Sequence, residues 1–416
     1  MRTRPEHFPL FDSMRGIAFL CAFTAHAYVF AGLQNSHNAS GHYVARFELA
    51  LRIFFLISAF LLYRPFVATR LRDESPPRVW AYAWRRLLRV VPAYWVAFTL
   101  TVVWLGFSFG SIYGHWRFPI FYGFGTIYWH ATLFGNPLPQ AWSLCVEAVF
   151  YVILPFYAAF MRRLPGSTPK KRLRNELVGA GALFALSFLY KAWLLHRGAP
   201  VTERGVFISN NPFLSWHMAP PAQYDFFAVG FALAALSVWY QDRPLPRLLR
   251  IVDRWPSVPW AVGIGAFVFM SIGIGLTGNI VEPLTDARYF GRHYLLMLAG
   301  FGLMLPVIFG DQTRGLVRRF LANRVLAWIG MVSYGCYLWH YTVLVQLYRW
   351  HFRSFTDDTS PYLWIPAGLV PTLAIAAVSW YLLERPILTQ KRRVPDRRLG
   401  QGPLEPTPPA PQPQTG

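Results

Sequence analysis

Ten stretches of mostly apolar residues recur along this chain of 416 residues. A helix that crosses a bilayer needs about 20 such residues, because each residue adds roughly 1.5 Å along the helix axis. The sequence therefore predicts an all-α fold, a polytopic membrane helix bundle of about ten transmembrane helices. The stretches cover residues 14–33, 47–68, 90–109, 142–160, 177–195, 219–240, 258–276, 293–310, 325–347 and 362–383.

The composition excludes the common alternatives to a membrane fold. Hydrophobic residues make up 54% of the chain and charged residues only 14%, against roughly 25% charged in soluble domains. We therefore expect residues 1–390 to form one membrane-embedded domain. The three cysteines, Cys21, Cys145 and Cys336, all lie in apolar stretches, which predicts buried free thiols and no disulfide framework.

Two segments depart from this pattern. Residues 118–135 are broken by Pro119, Gly123 and Gly125, and they predict a re-entrant or interfacial piece rather than a span. Residues 391–416 are rich in proline, and they predict a disordered cytoplasmic tail.

The basic residues indicate the orientation. Most of the 40 Lys and Arg lie before the first stretch, in every second connection and after the last stretch. Because basic residues accumulate on the cytoplasmic side, both termini are predicted to be cytoplasmic, in a plasma-membrane protein surrounded by lipid. The net charge of +21 is thereby explained as a topology signal, and no nucleic-acid partner is predicted.

Ionisable residues inside spans are costly, so each needs a reason. Arg15 and His26 share the first span. Over eleven residues, at about 100° each, the side-chain direction changes by a net angle of only about 20° around the helix axis. Both residues therefore lie on one face, ~16 Å apart along the axis. His26 is either a packed histidine bonded to a neighbouring helix or a general base, since its ordinary pKa lies near neutrality.

Two further spans carry polar groups at a similar predicted depth. Ser143, Glu147 and Tyr151 recur every four residues on the fourth span, so they lie above one another on one face. Glu147 is either a helix–helix hydrogen-bonding group or part of a site. His340 lies in the outer half of the ninth span, with Tyr337 on the same face.

Other charged residues have structural interpretations. Arg52, early in the second span, is expected to extend to the outer interface. Asp225 and Lys191 could form an ion pair, and Glu384 a salt bridge at a helix end. The aromatic and basic stretch 80–89 is expected in the cytoplasmic interface. Its arginines, Arg85, Arg86 and Arg89, either anchor the chain on anionic lipid or grip a phosphorylated substrate.

Six sequence elements, in order, resemble the acyltransferase-3 family of integral-membrane O-acyltransferases. The elements are FDSMRG from Phe11 followed by His26, FFLISAFLL from Phe54, RRLLRVVPAY from Arg85, WSLCVEAVFY from Trp142, SYGCYLWH from Ser333, and ERP from Glu384. Three positions depart from the family pattern. Ala59 replaces a glycine, which questions close helix packing there, and Ala148 and Val149 replace a second glutamate and a glutamine.

The resemblance implies transfer of an acyl group, usually acetyl, from acyl-CoA to a hydroxyl of a carbohydrate or related acceptor, with no metal. It implies catalytic roles for Arg15 and His26, and binding of CoA phosphates by Arg85, Arg86 and Arg89. Glu147 would orient His26 or the acceptor. Ser143, Tyr337 or His340 would contact the acceptor or the oxyanion. Direct transfer and an acyl-histidine intermediate both stay open.

Peptidoglycan, a glycolipid, an exopolysaccharide or a glycosylated metabolite would each fit as acceptor. Some relatives carry an extracytoplasmic hydrolase-like domain that this sequence lacks, so the membrane unit is expected to finish the product. Two competing functions explain the spans. Ten spans with polar groups at mid-depth are also typical of a transporter, but no inverted repeat is visible in the sequence. A scaffold or polymer-export subunit leaves the histidine and glutamate unexplained.

Overall fold

A computed structural model describes residues 8–31, 39–107, 120, 122–125, 137–198, 216–276, 284–350 and 361–390. Within these ranges the fold is all-α, with no strand, as predicted. Ten long helices coincide with the ten predicted stretches. They are α1 (Leu10–Phe30), α2 (Leu49–Arg72), α3 (Val79–Trp104), α4 (Trp142–Arg163), α5 (Pro169–His196), α6 (Pro220–Trp239), α7 (Ser257–Ile272), α8 (Asp286–Ile308), α9 (Arg324–Arg349) and α10 (Pro361–Ser379).

Among the described residues, seven helices are long and apolar enough to cross a membrane: α1, α3, α4, α5, α6, α8 and α10. An eighth candidate combines α7 with the short helix Arg247–Arg254, which is bent from it by 93°. The remaining two, α2 and α9, have 24 and 26 residues and are not among these candidates. The protein is therefore a multi-pass membrane bundle, while the count of ten spans and their orientation stay predictions.

The outward faces of the helices are apolar. On α4, Val152 and Phe156 expose 65% and 71% of their surface, and Leu189 on α5 exposes 62%. Soluble proteins rarely expose so much contiguous apolar surface. Hydrocarbon contact explains why these large side chains point away from the bundle.

Small residues let several helix pairs approach closely, as is common between membrane helices. A Cβ on Gly16 of α1 would come within 2.4 Å of the Leu326 carbonyl oxygen of α9. On α9, a Cβ at Gly330 would meet the Asp12 carbonyl oxygen at 1.6 Å. Close packing also occurs at Ala59, where the sequence had left it in question, because Gly230 of α6 lies against it: a Cβ there would be 2.4 Å from the Ala59 Cβ.

Buried ion pairs and hydrogen bonds join the helix ends on the predicted cytoplasmic side. Arg70 of α2 pairs with Glu176 of α5 at 2.5 Å. Arg318, in a short helix before α9, is fully buried and uses its guanidinium to bind backbone carbonyls around the ends of α7 and α8. Its acceptors are Val252, Asp253, Pro306, Phe309 and Arg314.

The described residues include only part of segment 118–135 and none of the tail 391–416. Of residues 118–135, only Ile120 and residues 122–125 are described. Tyr122 bonds Thr99 of α3 at 2.7 Å, and Phe124 stacks on Tyr94. The rest of that segment and the tail 391–416 lie outside the described residues. The three cysteines are free thiols, as predicted; Cys145 and Cys336 are buried, whereas Cys21 is only partly buried.

Candidate functional site

The crossing of α1 and α9 brings His26 and His340 together, although 314 residues separate them in sequence. His26 Nδ1 lies 2.9 Å from His340 Nε2, and the two rings stack with their centroids 5.0 Å apart. Phe19 and Phe23 of α1 pack edge-on against the His340 ring, which is fully buried. The two histidines therefore form a direct pair inside the bundle.

The hydrogen bonds of His340 determine which nitrogen of each neutral ring carries a proton. His340 Nδ1 lies 2.8 Å from the Tyr337 carbonyl oxygen and 3.2 Å from that of Cys336. Carbonyl oxygens only accept, so Nδ1 carries the proton and Nε2 is the acceptor. His26 must then donate from its own Nδ1. This arrangement leaves His26 Nε2 unprotonated, which is the form that a general base requires.

His26 lines a cavity of about 180 Å³ between α1, α2, α6, α8 and α9. Its apolar lining includes Trp142, Met218 and Leu296, and its aromatic lining includes Tyr341. Such a mixture of apolar walls and a few polar groups is typical of a small-molecule site. The cavity lies at one end of the bundle, where α2, α4, α6 and α8 begin. This end is the predicted outer side.

Charged and polar side chains from α2, α6 and α8 form part of the cavity wall. Arg292 donates to Glu48 from Nε at 2.6 Å and from a terminal nitrogen at 2.5 Å. Arg52 donates to the Gln223 side-chain oxygen. It lines the cavity and does not extend to the interface as expected, because a buried amide accepts its hydrogen bond.

Glu147 lies on another level of the bundle. Its two carboxylate oxygens accept hydrogen bonds from Ser58 of α2 at 2.9 Å and from Tyr151 at 2.5 Å. It interacts electrostatically with Arg86 and Arg15. Among the described residues, Glu147 is not part of the cavity lining. The structure therefore brings this carboxylate toward the predicted cytoplasmic arginines rather than to the histidine pair.

Ser143 and Tyr337 connect α4 to α9 beside the cavity. The Tyr337 hydroxyl donates to the Gln140 carbonyl oxygen at 2.5 Å. It therefore accepts from the Ser143 hydroxyl, which lies 2.8 Å away. The Gln140 side chain lines the cavity, and its amide nitrogen donates to the Leu338 carbonyl at 2.9 Å. Both hydroxyls thus hold a residue of the cavity wall in place.

Four arginines predicted on the cytoplasmic side lie near one another, at the end of α1 that is opposite to the cavity. They are Arg15, Arg85, Arg86 and Arg89. Arg15 pairs with Asp12 at 2.8 Å and interacts electrostatically with Arg86 and Arg89.

Within this group, Arg89 pairs with Glu384 at 3.9 Å, which confirms a salt bridge at the end of the last span. Arg85 is half-buried. Arg86 has a buried Nε that makes no hydrogen bond among the described residues. The group therefore offers free guanidinium hydrogen-bonding capacity at Arg86.

Next to the cavity, Lys191, Asp225 and His293 form a buried cluster. Lys191 pairs with Asp225, as the sequence suggested. His293 Nε2 lies 2.7 Å from the same carboxylate oxygen and 2.8 Å from the lysine nitrogen. His293 also lines the cavity. Within the described ranges, no group of three or more His, Cys, Asp or Glu side chains could hold a metal ion.

Much of the cavity wall was not predicted from the sequence. Glu48, Gln140, Arg292 and His293 had no predicted role. One signal could have revealed some of them: arginines are scarce on the predicted outer side, so each one there is exceptional. Arg292 is one of these few, and it reaches the cavity from the beginning of α8.

Comparison with known proteins agrees with this architecture. The sequence profile of the acyltransferase domain matches residues 9–381. A putative peptidoglycan O-acetyltransferase of Bacillus subtilis is 24% identical, and the alignment covers 95% of this chain and 57% of that protein. The corresponding values for the peptidoglycan O-acetyltransferase OatA of Listeria monocytogenes are 24%, 93% and 56%.

Nodulation protein 10 of Rhizobium leguminosarum is 25% identical, with 94% of this chain and 95% of that protein covered. No solved structure matches the chain. The chain spans little more than half the length of the two O-acetyltransferases above. Because the family profile extends over nearly the whole chain, this multi-pass protein of the plasma membrane belongs to the acyltransferase-3 family.

Proposed function

We propose that the protein is a membrane O-acyltransferase that moves an acyl group, acetyl in the simplest case, from cytoplasmic acyl-CoA to a hydroxyl of a carbohydrate, glycolipid or glycosylated metabolite. The observation that carries this proposal is the hydrogen bond from His26 to His340 at the wall of a cavity. It leaves His26 Nε2 unprotonated, and that nitrogen belongs to a cavity-lining side chain. The names of two relatives, both peptidoglycan O-acetyltransferases, support a carbohydrate acceptor.

In the proposed reaction, His26 Nε2 removes the proton of the acceptor hydroxyl. The oxygen attacks the thioester carbonyl, the carbon–sulfur bond breaks, and the proton on His26 passes to the departing CoA thiolate. His340 positions His26 through the bond between the rings. Ser143 and Tyr337 are proposed to act on the acceptor through Gln140, because their hydroxyls hold that residue at the cavity wall.

The acyl donor is proposed to bind at the cytoplasmic arginines. Arg15, Arg86 and Arg89 interact electrostatically with one another, so a polyanion such as the CoA phosphates would relieve their repulsion. Arg15 precedes His26 by eleven residues on one helix face, a distance of ~16 Å. The pantetheine arm would bridge that distance, past the level where Glu147 bonds Ser58 and Tyr151.

The test uses inside-out membrane vesicles of the native host with acetyl-CoA labelled in its acetyl group. We expect covalent label on a glycan or lipid fraction with the wild-type protein. His26→Ala is expected to lower the initial rate by at least ~10²-fold, because general-base catalysis contributes ~10²–10⁴-fold. A transporter would leave the label unattached.

The matched control is His196→Ala, because His196 is exposed at the end of α5, away from the cavity. It should transfer label at the wild-type rate. A His26→Ala protein that is present at normal levels and retains wild-type transfer would refute the base assignment. Absence of covalent label with the wild-type protein would refute the enzyme itself.

A further inference from the structure

The cavity contains more positive than negative side chains among its described lining residues. Arg52 and Arg292 contribute two guanidinium groups, and Glu48 contributes one carboxylate. The Lys191–Asp225 pair behind the wall adds no net charge. In a bundle surrounded by lipid, an uncompensated charge is costly, so a residue that carries one usually has a functional reason.

Glu48 interacts electrostatically with Arg292, Arg52 and the buried Arg46, so one carboxylate serves several guanidinium groups. Arg292 is paired with Glu48 through two nitrogens. The hydrogen-bond partner of Arg52 is instead a neutral amide, Gln223, and its guanidinium lies 5.0 Å from the ring centre of Phe226. Its Nε is buried and makes no hydrogen bond within the described part of the chain. Arg52 therefore retains donor capacity in a cavity that also contains the proposed base.

The chemistry of Arg52 favours one class of ligand. A guanidinium binds a carboxylate through two parallel hydrogen bonds, which also fixes the orientation of the ligand. The surplus of guanidinium groups over carboxylates at this cavity favours an anionic ligand. The neighbouring Tyr289, His217 and Gln140 are neutral hydrogen-bonding groups that suit sugar hydroxyls.

We propose that Arg52 binds a carboxylate of the acceptor, so that the protein acylates an acidic sugar such as a uronic acid. This inference rests on the proposed function, because it takes the cavity with His26 as the acceptor site. The donor phosphates are assigned to the arginines around Arg86, including Arg15, which precedes His26 by eleven residues on α1. Arg52 then acts as a specificity-determining residue that places an acceptor hydroxyl beside His26.

The first test measures binding without the donor, by calorimetry on the purified full-length protein. The probes are methyl glucuronide and methyl glucoside, which differ only in the carboxylate. We expect the glucuronide to bind more tightly. Arg52→Gln is expected to weaken glucuronide binding about 10- to 100-fold, because the loss of one charge-assisted hydrogen-bonding pair lowers affinity by about that factor. Glucoside binding should be unchanged.

Arg64 provides a matched control on the same helix. It also donates to a glutamine, Gln241, at 2.9 Å and lies 5.1 Å from the ring centre of a phenylalanine, Phe8. It is not part of the cavity lining within the described ranges. Arg64→Gln should therefore preserve the preference for the glucuronide. Arg52→Lys, which retains the charge without the planar fork, should bind the glucuronide with intermediate affinity.

The second test separates this inference from the proposed function by following acetyl transfer with the same two probes. A binding preference without acetyl transfer would support the acidic-ligand site and refute the enzyme. Acetyl transfer with equal binding of both probes, or with binding of neither, would refute the proposal that the acceptor is acidic. The proposed acyltransferase activity would remain supported. An increased KM for acetyl-CoA in Arg52→Gln, with unchanged glucuronide binding, would assign the anion to the donor and also overturn the proposal.

Discussion

His26 and His340 have identical side chains, but the structure gives them different roles. His340 is fully buried and binds two backbone carbonyls, whereas His26 lines the cavity. The backbone of α9 therefore fixes the proton on one side of His340, and His340 fixes the proton on His26. This relay resembles the orienting function of the carboxylate in a catalytic triad, with a neutral ring in its place.

We predict that His340→Phe lowers kcat for acetyl transfer by about 10- to 1,000-fold. That is below the ~10⁴-fold effect of changing the residue that fixes the tautomer in serine proteases. The KM values for donor and acceptor should change little, because His340 is not part of the described cavity lining. His340→Gln, whose side-chain oxygen can accept from His26 Nδ1, should restore part of kcat. Steady-state kinetics on the three proteins checks this, and a change confined to KM would contradict it.

The sequence alone indicates that the two histidines lie at a similar depth, but it does not indicate that they are partners. The positions within their spans place His26 near the middle of the bilayer or just beyond it, and His340 in the outer half. Their contact depends on α1 packing against α9, which no periodicity in either helix specifies. Glu147 shows the same limit, because Ser58 of α2 accounts for its position, and that neighbour follows only from the packing of the bundle.

At the scale of the helices, the crossing of α1 and α9 holds the histidine pair. The two backbones touch at Gly16 and Gly330, where no side chain separates them. The ten helices could be predicted because each needs only a continuous apolar run of sufficient length. Which helices touch depends on where small residues face each other, and one sequence contains many glycines that do not lie at such contacts.

Gly330→Ala is predicted to destabilise the protein by about 1–3 kcal/mol, the usual cost of overpacking. The added methyl would lie 1.6 Å from the Asp12 carbonyl oxygen, so α1 and α9 must separate. A lower Tm in detergent and slower acetyl transfer should follow together.

Gly265→Ala on α7 is the matched control, because a Cβ at that position meets nothing within 4 Å. Its Tm should stay the same or rise, since alanine favours a helix by up to about 1 kcal/mol over glycine. Equal Tm values for Gly330→Ala and the wild-type protein would show that the crossing is looser than the structure indicates.

At the scale of the whole molecule, two polar regions lie at opposite ends of one bundle. The arginines around Arg86 lie where α3 begins, and the cavity lies where α2, α4, α6 and α8 begin. The distribution of basic residues assigns the first region to the cytoplasm. The donor and the acceptor are therefore expected to arrive from different sides of the membrane.

Sealed vesicles test this arrangement. We predict that acetyl-CoA supports transfer when it is supplied to the cytoplasmic face and not when it is supplied to the other face. Arg86→Gln should raise the KM for acetyl-CoA by about 10-fold or more, because one charge-assisted hydrogen bond is lost.

Arg174→Gln is the control, since Arg174 is exposed near the beginning of α5 on the same predicted side, and its KM should be that of the wild-type protein. Equal use of acetyl-CoA from both faces would show that the orientation is wrong. An unchanged KM in Arg86→Gln would leave this arginine as a lipid anchor.

The glycine contacts between α1 and α9 also bear on how the protein can move. Helices whose backbones touch cannot slide or roll past each other without losing that contact. We therefore expect the wall formed by α1 and α9, which holds both imidazoles, to move least. A motion that admits a substrate or releases a product is then expected in α2, α4, α6 and α8, which line the rest of the cavity, so that His340 keeps His26 aligned during a turnover.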